Sequence, residues 1–171
     1  MLKGILVPML GVLVFVAIVG YMVKNPQKLN FGKYSNPGNS QTKPQKPITI
    51  KVKDMDLTVD VADTKETRTK GLSGRTSLNE NSGMLFIFDT KNTVPYFWMK
   101  DMLIPLDIIW VNDGAIAKID KKVQPPKTGT PDSALPILSP DVPIDYVLEV
   151  NAGYTDKKGI KIGDTVDLLG F

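Results

Sequence analysis

Between Arg68 and Val111 the chain sets three short apolar runs, Met84–Phe88, Val94–Met99 and Leu106–Val111, between Gly, Pro and Asn residues. Runs of this length, rich in aromatic and branched side chains and closed off by turn formers, suit central strands buried on both faces. They leave little room for a long helix. The same block carries Arg75, Lys100, Asp101 and Asp107 among bulky apolar neighbours, where a charge needs a partner or a purpose. It marks where a site can lie without naming a chemistry.

The flanks add strands and only minor helix. Ile48, Ile50 and Val52 alternate with polar residues, and Leu57, Val59 and Val61 do so again after Asp54-Met55-Asp56, which reads as a β-hairpin. Asp63 with Glu66 three residues later is a capping box for a short helix that Gly71 ends. Arg68 on that helix reads as solvated. Asn112-Asp113-Gly114 is a hairpin turn into Ala115–Ile119. From Val123 to Pro143 six prolines break a polar segment that reads as a functional or mobile loop, a candidate lid. Tyr146–Val150 resumes a strand, Thr155–Lys158 forms a helical turn before Gly159, and Thr165–Leu169 closes the sheet. Many short strands with one or two short helices predict a mainly β domain, a compact sandwich or barrel.

This domain begins at residue 48. Gly4 to Val23 is uncharged over 20 residues, long enough to cross a hydrocarbon core of about 30 Å as a helix. A cleaved secretory signal is the rival reading, but it has a shorter apolar core and a small-residue cleavage site, whereas Tyr21, Met22 and Val23 lead directly into Lys24. Residues 1–23 are therefore expected to be a transmembrane anchor, and residues 24–47, rich in Pro, Asn, Gln and Lys, a flexible tether. Lysines on both sides of the span leave the positive-inside rule without a clear winner. A lone N-terminal span resembles a signal-anchor, which favours an extracytoplasmic globular domain on a single-pass membrane protein. Ser40-Gln-Thr-Lys43 matches the Ser-x-x-Lys of serine acyl enzymes, but it falls in the tether, where no packed strand and helix would support such chemistry.

Charge and composition remove several functions. The net charge of +3 divides unevenly: residues 1–47 hold six lysines and no acid, leaving 15 basic against 18 acidic groups in residues 48–171, a net of −3. Nucleic-acid binding by a basic face is disfavoured. With no His and no Cys the chain lacks the usual neutral-pH base, thiolate nucleophile and zinc ligands, so no metal or cofactor is expected.

Strand parity sorts the candidate residues. Tyr96, Trp98 and Lys100 fall on one face of their run and Phe97, Met99 and Asp101 on the other, so Tyr96 and Trp98 are either half-exposed packing or an apolar platform beside a Lys handle. Asp107 shares a face with Ile109 and Val111 and should be paired, hydrogen-bonded or lining a pocket, with Arg75 or Lys100 as the cation. Arg75 suits a carboxylate clamp or an internal pairing with Asp107 or another acid. Glu149, in step with Val147 and Asp145, reads as near a surface. Two carboxylates among Asp101, Asp107 and Glu149 would permit glycoside hydrolysis if they converged at about 5–10 Å.

The segments VADTKETRTKGLSGRTSL, GMLFIF, FWMKDMLIPLDIIWV and VLEVNAGYTDKKGIKIGDTV resemble the family named domain of unknown function 192, over about Leu57 to Val166. Gly71, Arg75, Gly83, Met84, Phe97, Trp98, Met99, Lys100, Pro105, Leu106, Asp107, Glu149 and Gly153 fit its pattern. Its usual Trp-Met-Lys-Asn-Thr reads Trp98-Met99-Lys100-Asp101-Met102 here. The resemblance implies a compact, mostly β, jelly-roll-like domain, often behind an export signal or anchor, and no established activity. The sequence as a whole favours a membrane-tethered extracytoplasmic domain that binds carbohydrate, peptide or an envelope protein without catalysis through some of Arg75, Tyr96, Trp98, Lys100, Asp101, Asp107 and Glu149. A small hydrolase of cell-wall carbohydrate is the alternative.

Overall fold

The computed structural model describes residues 46–169, so the anchor expected over Gly4–Val23, nearly all of the tether and the Ser40–Lys43 motif lie outside the described residues. Among the described residues, no helix is long and apolar enough to cross a membrane. The described part is one seven-stranded sheet with two short helices.

Strands β1 (Ile48–Val52) and β2 (Met55–Ala62) form the expected hairpin, with Val52 opposite Met55, so the turn is Lys53-Asp54 and Lys53 takes a positive φ of 58°. Helix α1 (Lys65–Lys70) then carries the chain across to β3 (Ser82–Ile87), which pairs parallel with β2. Its cap lies one residue later than the sequence reading. Thr64 Oγ1 accepts from the Thr67 amide at 3.2 Å and Thr67 Oγ1 accepts from the Thr64 amide at 3.0 Å, so the reciprocal pair is Thr64/Thr67 and not Asp63/Glu66.

Strands β4 (Leu106–Asn112) and β5 (Ala115–Val123) are joined by Asp113-Gly114, both at positive φ (48° and 70°), as a tight hairpin of this hand requires. Strand β6 (Tyr146–Asn151) lies between β3 and β4, antiparallel to both. Helix α2 (Tyr154–Lys158) leads to β7 (Val166–Asp167), which pairs with β1. The order is β5-β4-β6-β3-β2-β1-β7. Its two edges meet where Ile116 donates to the Asp164 carbonyl at 2.9 Å and Val166 donates to that of Gly114 at 2.8 Å. A nearly closed barrel results, in place of the two facing sheets of a jelly roll. Closure pairs polar edges that would otherwise template aggregation.

The central strands are buried on both faces, as their unbroken apolar runs require. Leu85, Ile109, Val111, Leu148 and Val150 fill the interior with Ile50, Leu57 and Val59. Met84, Phe86, Ile108, Trp110 and Val147 form a second core outside the barrel, covered by Leu72, Met99, Met102 and Ile144. Burying each such side chain contributes about 1.5–3 kcal/mol.

Val94–Met99, expected as a central strand, is instead an extended cover over that outer core. It makes only isolated bridges, Thr93 to Ile144 and Phe97 to Leu138. Pro95 has no amide to donate, and Pro136, Pro140 and Pro143 interrupt the facing segment, so no continuous ladder forms. The side-chain alternation survives without the ladder. Phe97 packs its edge against Phe86 and Trp110 at 4.9 and 5.4 Å between centroids and Met99 is buried, while Tyr96 and Trp98 face outward, 76% and 45% exposed. The candidate lid over Val123–Pro143 is held by those bridges and contains one 3-10 turn, Asp132–Ala134.

Candidate functional site

The outer core is incomplete at one place. Between α1, the Tyr96–Trp98 cover and the β3–β6 face lies a cavity of about 280 Å³. Phe86 of β3 and Glu149 of β6 belong to the sheet side, Leu72 and Gly71 come from the turn after α1, and Tyr96, Phe97 and Trp98 from the cover. Gly71 holds a positive φ of 48°, and a Cβ there would stand 3.4 Å from the Phe86 ring, so a side chain would meet both backbone strain and the cavity wall.

Glu149 is the unusual group. Strand register sets it between Met84 of β3 and Ile108 of β4, both apolar and buried. It is 6% exposed and, among the described residues, no donor reaches its carboxyl. Tyr154 Oη is the single fully enclosed side-chain polar atom among these residues with no partner, so the Glu149 carboxyl, also unpartnered, stays open to the cavity it lines. Burial pushes it up to about 8, and it is mainly neutral at pH 7. Its expected place near a surface is overturned: both faces of β6 are covered, and Tyr-Val-Leu-Glu-Val is a buried strand with an acid in it.

Arg68 also departs from expectation. Its guanidinium donates to the Asp63 and Ile87 carbonyls at 2.7 and 2.8 Å, pairs with Asp89 at 3.2 Å and lies 5.9 Å from the centre of the Phe88 ring. It is a structural clamp on the cavity wall, because the ends of β2 and β3 beside α1 present carbonyls that its guanidinium can bind. Lys65 and Lys70, on the same helix and also lining the cavity, are exposed and have no ion-pair partner among the described residues.

The other expected site residues scatter. Lys100 pairs with Asp132 and stands 5.7 Å from the Trp98 ring centre. Asp101 is an exposed turn residue with φ 56°, whose carbonyl accepts from the Gly74 amide at 2.9 Å. Asp tolerates that left-handed backbone as Asn does, so its departure from the family pattern preserves the turn. Met102, where the family has Thr, is buried in the outer core. Arg75 pairs with Asp60 at 2.6 Å, both partly exposed, beside a separate polar pocket of about 320 Å³ with Thr58, Ser77 and Asn79.

Asp107 faces the barrel interior, as parity required, but neither Arg75 nor Lys100 is its partner. Oδ1 accepts from the Lys122 and Gly153 amides at 2.8 and 3.0 Å, and Oδ2 from the Thr155 amide and hydroxyl at 3.0 and 2.7 Å. Burial alone would raise this carboxyl, yet the Thr155 hydroxyl and the three amides outweigh it and hold the group below the ordinary carboxylate value. Asp107 thus ties the β5 end and α2 to β4. Register puts Asp107 opposite Val150 and Glu149 opposite Ile108, so the two carboxyls leave opposite faces of the sheet. With Asp101 exposed in its turn and absent from the cavity lining, the expected acids do not converge as a hydrolytic pair. Among the described residues no group of three or more acidic, His or Cys side chains is arranged to hold a metal.

Of the sequence candidates, only Tyr96, Trp98 and Glu149 share the cavity, and Phe86, Lys65 and Lys70 were missed. The apolar residues on both sides of Glu149 were the available signal: Val147 and Glu149 share one face, Leu148 and Val150 the other.

Two solved structures share this fold. A protein of Sinorhizobium meliloti 1021, provisionally described as a transcription regulator, is 29% identical with a TM-score of 0.63 and covers 73% of this chain and 94% of its own. A protein of unknown function from Novosphingobium aromaticivorans DSM 12444 is 31% identical with a TM-score of 0.60, covering 71% and 83% respectively. No curated protein matches the sequence. The family model for domain of unknown function 192, described as an uncharacterized ACR, matches residues 48–168, and the chain belongs to that family.

Proposed function

We propose that this chain is a membrane-tethered extracytoplasmic β domain that binds a small ligand, or a projecting group of an envelope partner, in the Glu149 cavity without catalysis. The observation that carries the reading is a concave aromatic site with an unpartnered, buried carboxyl at its base, the combination expected of a binding pocket. The uncharged Gly4–Val23 span supports the tether. A hydrolase using paired carboxylates is disfavoured by the opposite orientations of Asp107 and Glu149. Gene regulation, taken from the description of the Sinorhizobium neighbour, is disfavoured by the net charge of −3 over residues 48–171.

The two tryptophans make the binding reading testable. Trp110 is fully buried and donates to Asp120 at 2.7 Å, whereas Trp98 lines the cavity half-exposed. A library of small amides, sugars and organic acids is titrated against the full-length protein in lipid nanodiscs while tryptophan emission is followed. The expected result is a saturable change with at least one class that disappears in Trp98→Phe. Emission unmoved by every class, or moved equally in Trp98→Phe, overturns the cavity as the binding site. Separately, the chain should remain with membranes through high-salt and alkaline washing, and protease outside intact cells should remove the domain. Soluble intact chain would end the tether reading.

A further inference from the structure

The Glu149 cavity carries enough chemistry to limit its ligand, on the reading that it is a binding site. Three features act together. The carboxyl at the base has neither acceptor nor donor from the protein among the described residues, so its O–H and its carbonyl are both free to meet a ligand. A neutral carboxylic acid offers one O–H to donate and one carbonyl to accept, and a trans secondary amide, whose N–H and C=O lie on opposite edges, takes the O–H on its carbonyl. The walls, Phe86, Phe97 and Trp98, suit an aromatic or acyl body. The mouth carries Lys65 and Lys70 without acid partners, and Arg68 already clamped to two carbonyls and Asp89.

From this geometry we infer that the cavity takes a small anionic amide of the N-acyl amino carboxylate class, with its amide on the Glu149 carboxyl, its acyl or aryl body against Phe86 and Phe97, and its carboxylate toward Lys65 and Lys70. An ammonium ligand, the usual guest of an aromatic box with an acid, would meet two unpaired lysines at the mouth and would have to ionise a buried group. The other charged or titratable groups lining the cavity are Lys65, Arg68 and Lys70 from α1 and Tyr96 from the cover; the sheet neighbours of Glu149, Met84 and Ile108, are apolar. Burial holds the Glu149 carboxyl at about 8, so the neutral form that pairs with an amide prevails at pH 7 and is lost above pH 8.

The test uses full-length protein in nanodiscs and isothermal titration with three matched probes: hippurate, N-(2-aminoethyl)benzamide, which replaces its carboxylate by an ammonium, and 4-phenylbutyrate, which lacks the amide. Hippurate is expected to bind at least tenfold more tightly than either analogue at pH 7. Its affinity should fall about tenfold between pH 7 and pH 9, as one deprotonation near pH 8 requires. In Glu149→Gln, which keeps a donor and an acceptor, the affinity should be level over that range. The Lys65→Ala/Lys70→Ala variant, altered only at exposed positions, should weaken hippurate severalfold and flatten its salt dependence. Tighter binding of the ammonium, or affinity that rises with pH, overturns the inferred class and leaves the binding reading intact. Hippurate binding that ignores pH in the native protein overturns the contact to Glu149. Failure of all three probes also overturns the class, and the Trp98 emission screen then decides separately whether the cavity binds anything.

Discussion

Asp107 and Glu149 lie one register step apart on neighbouring strands, and the fold treats them in opposite ways. Asp107, on the interior face, accepts four hydrogen bonds and is held below the ordinary carboxylate value. Glu149, on the outer face, accepts none among the described residues and is pushed up to about 8. Both are buried, so burial alone does not decide the state of a carboxyl. Donors decide it. One acid fastens the barrel end, and the other is a cost to the fold that a binding site explains.

The largest expected effect is at the satisfied acid. Asp107→Asn turns an amide NH₂ toward groups that donate, and should destabilise the protein by roughly 3–4 kcal/mol in urea unfolding. A loss below about 1 kcal/mol would break the contrast. Native stability should also decline as pH falls below 3.8, because a depressed carboxyl contributes above its unfolded value and loses that contribution as it protonates.

At Glu149 the sign reverses. Above the ordinary value of 4.5 the unfolded chain has released this proton while the folded chain keeps it up to about 8, so stability falls as pH rises through that window. Glu149→Gln should therefore stabilise the protein by about 3 kcal/mol at pH 7 and change little at pH 4.5. Destabilisation at pH 7 would show that the native carboxyl has donors after all. The smallest effect belongs to Arg75, whose pair with Asp60 is partly exposed. Arg75→Met should cost about 0.5–1 kcal/mol and add independently to Asp107→Asn. Non-additivity would restore the Arg75–Asp107 partnership that the Asp60 pair and the four donors to Asp107 argue against.

What the sequence made legible follows local rules. Alternation in Ile48–Val52 and Leu57–Val61, the Asp113-Gly114 turn and the apolar Leu106–Val111 run each act within a few residues, and each became the element expected. Asp107 was recognisable as an acid between two apolar faces. Its partners were not, because Lys122, Gly153 and Thr155 contribute backbone amides that any residue but proline could supply. The cover over Val94–Met99 kept its side-chain alternation and lost its ladder to Pro95 and the prolines opposite, a long-range pairing failure that no local pattern announces. Glu149 was misjudged because its environment is made by the cover and α1, distant in sequence from β6.

The most direct measurement is the titration of the Glu149 side-chain carboxyl itself, followed by ¹³C NMR in full-length protein labelled at glutamate and assigned with Glu149→Gln. A midpoint near 8 is the predicted result, well apart from the other glutamates. A midpoint near the ordinary 4.5 would mean an ionised, solvated or partnered acid, and would contradict the neutral, unpartnered carboxyl on which the proposed binding site stands.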